Sequence, residues 1–173
     1  MSIYQKKYNL IKKLVFGAIR EDSSIPTLIS IIDEKGGSKI LPIGGIPEKE
    51  DESFALFSGV GKLIKENESK TEKSGAFILI SEAWIKESKE KKPSYNKNLK
   101  DENLKDTNES IVFSYVDLDG YFFIEAIILT KDGEGKKDIK ENPGTVYESQ
   151  INELPKISPL LDILLKGYYG YII

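Results

Sequence analysis

An α+β fold, a mainly antiparallel sheet of about five strands with helices packed on it, is predicted by three features of the chain. Helix-period and strand-period runs follow one another along it. Most strand runs come in pairs joined by short glycine turns. Their order is helix, hairpin, helix, strand, polar segment, hairpin, tail, and no strand–helix unit repeats. Strands joined by tight turns must be antiparallel, because parallel neighbours need a crossover of a dozen residues or more. With 173 residues the chain suits one domain, 1–173, and is long enough to bury a core.

The first helix is marked by Tyr4, Tyr8, Ile11, Leu14, Val15, Ala18 and Ile19, which recur at three- and four-residue steps among lysines. Ser2 and Gln5 have the spacing of a capping box at its start. Pro26 then introduces the β-rich run Thr27–Ile32, and Lys39–Ile43 follows the turn at 33–37, giving a first hairpin. Pro42 has no N–H to donate, so its strand belongs at a sheet edge or stops there.

A second helix is predicted over Glu48–Asn67, buried along Phe54, Phe57, Val60, Leu63 and Ile64. Glu48, Glu50, Asp51 and Glu52 crowd its start and Lys62 and Lys65 its end, the order the helix dipole favours. Those carboxylates also argue against a phosphate held by Gly44 and Gly45 just ahead of the helix. Gly75–Ile85 is apolar on both faces and reads as a central strand.

Beyond it the composition turns polar, and residues 87–109 read as a mobile insertion with too few apolar groups to offset ordering. Ile111–Val116 and Tyr121–Thr130 flank the turn Asp117-Leu118-Asp119-Gly120, the clearest hairpin signal in the chain. With Gly120 left-handed in a type I turn and bulge, Phe113 lies opposite Glu125 and Ser114 opposite Ile124. Lys136–Tyr147 reads as irregular, and Leu160–Lys166 as a short apolar helix. The apolar tail Tyr168–Ile173 is expected to dock, as an edge strand on its own sheet in preference to a two-fold interface.

Composition excludes much chemistry. There is no histidine and no cysteine, which removes Ser-His-Asp and Cys-His nucleophiles and any thiolate or imidazole zinc site. A net charge of −3 supplies no global positive field for nucleic acid. Arg20 is the only arginine, so a bidentate anion clamp has one possible place. No stretch reaches the roughly 20 apolar residues of a membrane helix. Together with the missing cysteines, this makes the cytoplasm the expected location, with no membrane partner.

Two carboxylates stand where a purely structural sheet would not put them. Glu82 shares a strand face with Ile78, Ile80 and Trp84, and Glu125 shares one with Phe123, Ile127 and Leu129. If these strands bring them together, Glu82 and Glu125 form a proton-sharing or Mg²⁺- or Ca²⁺-binding pair, with Asp117 and Asp119 as helpers. That describes a carboxylate-dependent hydrolase, which is the alternative reading. The leading expectation is a non-enzymatic domain without a cofactor, acting by binding a protein partner or by self-association. Its binding residues would be Trp84, Tyr168, Tyr169 and Tyr171, with Trp84 largely buried in the central strand.

The run Phe77–Trp84, closing on Ser81-Glu82-Ala83-Trp84 and followed by a polar segment and an Asp-x-Asp-Gly hairpin, resembles a group of uncharacterised small bacterial and phage proteins. The resemblance covers residues 26–133 and rests on that one short motif. It brings no activity with it, and it singles out Ser81, Glu82 and Trp84 for mutation.

Overall fold

The computed structural model describes residues 1–21, 25–86, 107–140, 145–149 and 153–170. Among them are four helices and seven strands, an α+β arrangement in which every strand pairing is antiparallel. The chain runs through α1 (Ile3–Arg20), β1 (Thr27–Asp33), β2 (Ser38–Gly44), α2 (Glu50–Glu66), β3 (Ser74–Lys86), β4 (Thr107–Asp117) and β5 (Phe122–Lys131). It continues through β6 (Lys137–Ile139), β7 (Thr145–Ser149), α3 (Leu154–Ile157) and α4 (Pro159–Tyr169). The strand order is β2-β1-β3-β4-β5, and β6 and β7 share the outer side of β5.

Local signals shape the elements as expected. Ser2 and Gln5 close the capping box of α1. In the second hairpin Gly120 takes a φ of 94°, Asp117 N–H donates to Tyr121 O, and Gly120 N–H donates back to Asp117 O. The resulting register sets Phe113 against Glu125 and Ser114 against Ile124. The central strand β3 lies between β1 and β4, and Pro42 lies on the outermost strand, β2.

Alternation along the strands splits the core in two. One face carries Ile78, Ile80, Ile111, Phe113 and Tyr115, and α1 covers it with Tyr8, Ile11, Val15 and Ile19. The other carries Ile29, Phe77, Leu79, Val112 and Ile124, covered by Phe57 and Ile64 of α2 and by Leu161, Leu164 and Tyr168 of α4.

Four sequence expectations need correction. The sheet has seven strands, not about five, because 136–147 is not wholly irregular and contributes β6 and part of β7. Residues 107–109, expected in the polar insertion, open β4, and the rest of that stretch lies outside the described residues. The last helix runs on through Tyr168 and Tyr169, which are therefore not in an edge strand, while 171–173 lie outside the described residues. Leu14 and Leu63, expected in buried stripes, are 61% and 57% exposed.

Candidate functional site

Glu125 is buried on the α1 face of β5. Lys12 Nζ reaches its two carboxylate oxygens at 3.0 and 3.1 Å, and the Tyr8 hydroxyl donates to the same group. Tyr8 and Lys12 are one helical turn apart on α1, so one face of one helix delivers both partners. Burial, and then the negative charge of Glu125, hold the Tyr8 phenol far above its usual range, so it stays protonated and donating. Its ring meets Phe113, Tyr115 and Phe123 edge-on. Both carboxylate oxygens of Glu125 are thus engaged by the chain itself, which is the chemistry of a buried anchor.

Glu82 does not join it. Its side chain is exposed on the same face and accepts the Ile25 N–H at 3.3 Å. Glu82 pairs across Ile111 of β4, whereas Glu125 pairs across Phe113. With β4 between them and one row of offset, their Cα atoms lie about 12 Å apart from strand spacing and rise. The expected pair is therefore not assembled.

Asp117 is buried, but it accepts the Tyr115 hydroxyl at 3.1 Å and the Tyr121 N–H at 2.9 Å, so it is spent on its own turn. Asp119 is exposed at the tip of that turn. Among the described residues no three acids cluster closely enough to hold a metal ion.

Arg20, the single possible anion fork, donates from Nε to Asp138 at 3.0 Å on the surface. It borders a cavity of about 400 Å³ with Lys131 and Lys137. Both lysines are ion-paired to Glu109.

The expected binding tyrosines divide. Tyr168 is buried, packs edge-on against Phe77 at 5.2 Å, and donates its hydroxyl to Glu68, so it fastens α4 to the core and is not displayed. Tyr169 is 52% exposed and lies edge-on to Tyr168. The side chain of Trp84, and all of Tyr171, lie outside the described residues.

A different surface emerges at the β2 edge. The first hairpin fixes which way the main chain points. Asp33 N–H donates to Gly37 O, and alternation from that pair turns Lys39 and Leu41 toward β1. Ser38, Ile40 and Pro42 therefore aim their main-chain groups outward, with the Pro42 donor missing.

On the α2 side of this edge lies a groove of about 430 Å³ whose apolar lining includes Leu41, Ile43, Val60 and Leu63. Asp33, Glu68 and Glu72 line it as well, against the single cation Lys39. On the α1 side, Ile3 reaches the hairpin turn at Gly36. Lys12 and Phe16 on one flank of α1 meet Glu125 and Phe113, and Leu10 and Leu14 lie exposed around the opposite flank.

Four of the nine exposed large apolar side chains among the described residues (Ile3, Ile40, Leu41 and Leu63) thus belong to the first hairpin, its turn or its groove. The sequence carried a usable signal for two of the exposed residues. Leu14 and Leu63 each sit about 100° around their helix from the middle of the buried residues, on the shoulder of the stripe.

The chain matches no family model, no curated protein and no solved structure.

Proposed function

We propose that this chain acts as a protein-binding domain that takes up an extended strand at the outer edge of β2, which pairs with no further strand among the described residues. The observation that carries this reading is the exposed apolar side chains Ile40, Leu41 and Leu63 beside that edge and its groove. Outward Ser38 and Ile40 offer donors and acceptors to an incoming strand, and the groove beside α2 takes its alternate side chains. Affinity then comes from the main chain and selectivity from the groove.

The test uses a soluble extended peptide that alternates leucine with lysine. Titrated into the protein, it should slow hydrogen exchange at the Ser38 and Ile40 amides and shift the Leu63 methyl resonances. If millimolar peptide leaves the β2 and α2 resonances where they were, the edge is not a strand acceptor.

A further inference from the structure

We infer that the outer face of α1 seats on an anionic lipid surface, with the helix lying flat in the headgroup layer of a bilayer. The inference uses none of the β2 edge and stands apart from the strand-acceptor reading.

The first support is charge. α1 carries five of the chain's 25 basic residues, Lys6, Lys7, Lys12, Lys13 and Arg20, and none of its 28 acids. Acids of other elements meet it at its ends and beneath it. Glu125 takes Lys12, Asp138 takes Arg20, and Asp33, Glu34, Asp117 and Asp119 bear on Tyr4 in the first turn. Lys6, Lys7 and Lys13 make no ion pair among the described residues. On the opposite face of the sheet, α2 opens on Glu50, Asp51 and Glu52. A negative surface is therefore drawn to the α1 side.

Charge alone would also suit a soluble polyanion, and the apolar residues are what select lipid. Leu10 and Leu14 stand one turn apart, 49% and 61% exposed. At about 100° per residue, Lys7 lies about 20° outside Leu14, and Lys6 and Lys13 lie about 40° and 60° outside Leu10. Lysine thus borders an aliphatic strip on both sides. Such a helix sinks its strip toward the acyl chains while its lysines reach up to the phosphates. None of these five side chains lines either cavity described above. The convex outside of a helix suits a deformable bilayer, whereas a bound peptide wants a groove.

The sequence expectation of no membrane partner placed Leu14 in the buried stripe, and its exposure is what changes the reading. Among the described residues no helix is long and apolar enough to cross a membrane, so the contact is peripheral. Two leucines make it shallow and reversible.

The test sediments the full-length protein with vesicles of equal parts phosphatidylglycerol and phosphatidylcholine at low ionic strength. It should bind these and not phosphatidylcholine alone. Half-molar salt should release it, because the Debye length falls to about 4 Å. Lys6→Gln with Lys13→Gln should weaken partitioning about twentyfold, at about fivefold per lysine. Leu10→Gln with Leu14→Gln should weaken it about twentyfold as well, because each leucine has about half its surface left to bury. All four positions are exposed, so circular dichroism spectra and melting curves should match the wild type.

The chain has no cysteine, so an environment-sensitive dye can be placed at a single residue. On Leu14→Cys its emission should move to shorter wavelength when the anionic vesicles are added. On Leu63→Cys, exposed on α2 across the sheet, it should not move. Absence of binding to the anionic vesicles overturns the inference. So does binding that survives the lysine pair, binding indifferent to the leucine pair, or a dye shift at Leu63 in place of Leu14. Binding to soluble polyglutamate with none to the vesicles would give this face to an acidic protein and overturn the inference too.

Discussion

On one face of the sheet α1 stands off by a layer of side chains, and on the other α2 and α4 meet backbone to backbone. Tyr8 fills the α1 layer, its ring edge-on to three aromatic residues and its hydroxyl on Glu125. On the opposite face, a Cβ built on Gly61 would stand 2.1 Å from the Leu164 carbonyl oxygen, and one built on Gly167 would stand 2.1 Å from that of Ser58. The difference teaches where polar chemistry can live: on the α2–α4 face the carboxylate that Tyr168 meets, Glu68, lies past the end of α2 and not between the two helices. A helix held off by long side chains leaves room for a buried carboxylate and its donors. Two helices in backbone contact leave room for nothing beyond hydrogen.

The largest effect should come from closing that room. Gly61→Ala and Gly167→Ala put a methyl into a main-chain carbonyl and force the helices apart, at a cost of about 3 kcal/mol each, near the upper end for overpacking. Gly17 is the control. It is helical and exposed on α1, with nothing within 4 Å of an added Cβ. Gly17→Ala should therefore stabilise by roughly 0.5–1 kcal/mol, the ordinary helix preference. Urea denaturation of the three variants measures the contrast. A Gly167→Ala protein as stable as Gly17→Ala would end the claim of backbone contact.

Those glycines also explain part of what could be read from sequence. Gly167 looks like a helix stop, and the apolar tail after it looks like a strand. Its work is to admit the Ser58 carbonyl, and the helix stops at Gly170, whose φ of 78° is the left-handed cap. Features whose partners are near in sequence were legible: the capping box at Ser2, both hairpins, and the register that opposes Phe113 and Glu125. The anomaly of a carboxylate on an apolar strand was legible too. Its solution was not, because Tyr8 and Lys12 lie 117 and 113 residues away from Glu125 and nothing local names them.

The short strands β6 and β7 escaped for a related reason. Lys137–Ile139 has no strand pattern of its own and is ordered as a strand by the waiting edge of β5. The candidate edge at β2 was half legible. Pro42 marked it as an edge, but its exposed flank depends on where α1 and α2 come to lie.

The α1 layer can be broken from the polar side. Lys12→Met leaves Glu125 buried with the Tyr8 hydroxyl as its remaining side-chain donor, and removing one partner of a buried pair costs about 3 kcal/mol at full burial. Lys12 keeps some solvent contact, so about 2 kcal/mol is expected here. Adding Glu125→Leu should restore most of that loss, because no stranded charge remains. A double variant no more stable than Lys12→Met would mean that Tyr8 also depends on the carboxylate to keep the aromatic layer in place.

The smallest effect tests whether the two faces differ in anything besides their spacing. Each carries one buried serine hydroxyl without a hydrogen-bond partner among the described residues, Ser30 on the α1 face and Ser114 on the other. Both sit in strands opposite apolar residues, Ser30 across from Ile78 and Ser114 across from Leu79 and Ile124. A hydroxyl stripped of water without a partner is a net loss, and alanine removes it with almost no change in volume. Ser30→Ala and Ser114→Ala should each raise stability by about 0.5–1 kcal/mol, with an unchanged urea slope. Equal gains would show that spacing alone distinguishes the faces. A loss at Ser30 with a gain at Ser114 would show that the looser α1 layer holds a water on Ser30, as a polar and roomy interface can and a close-packed one cannot.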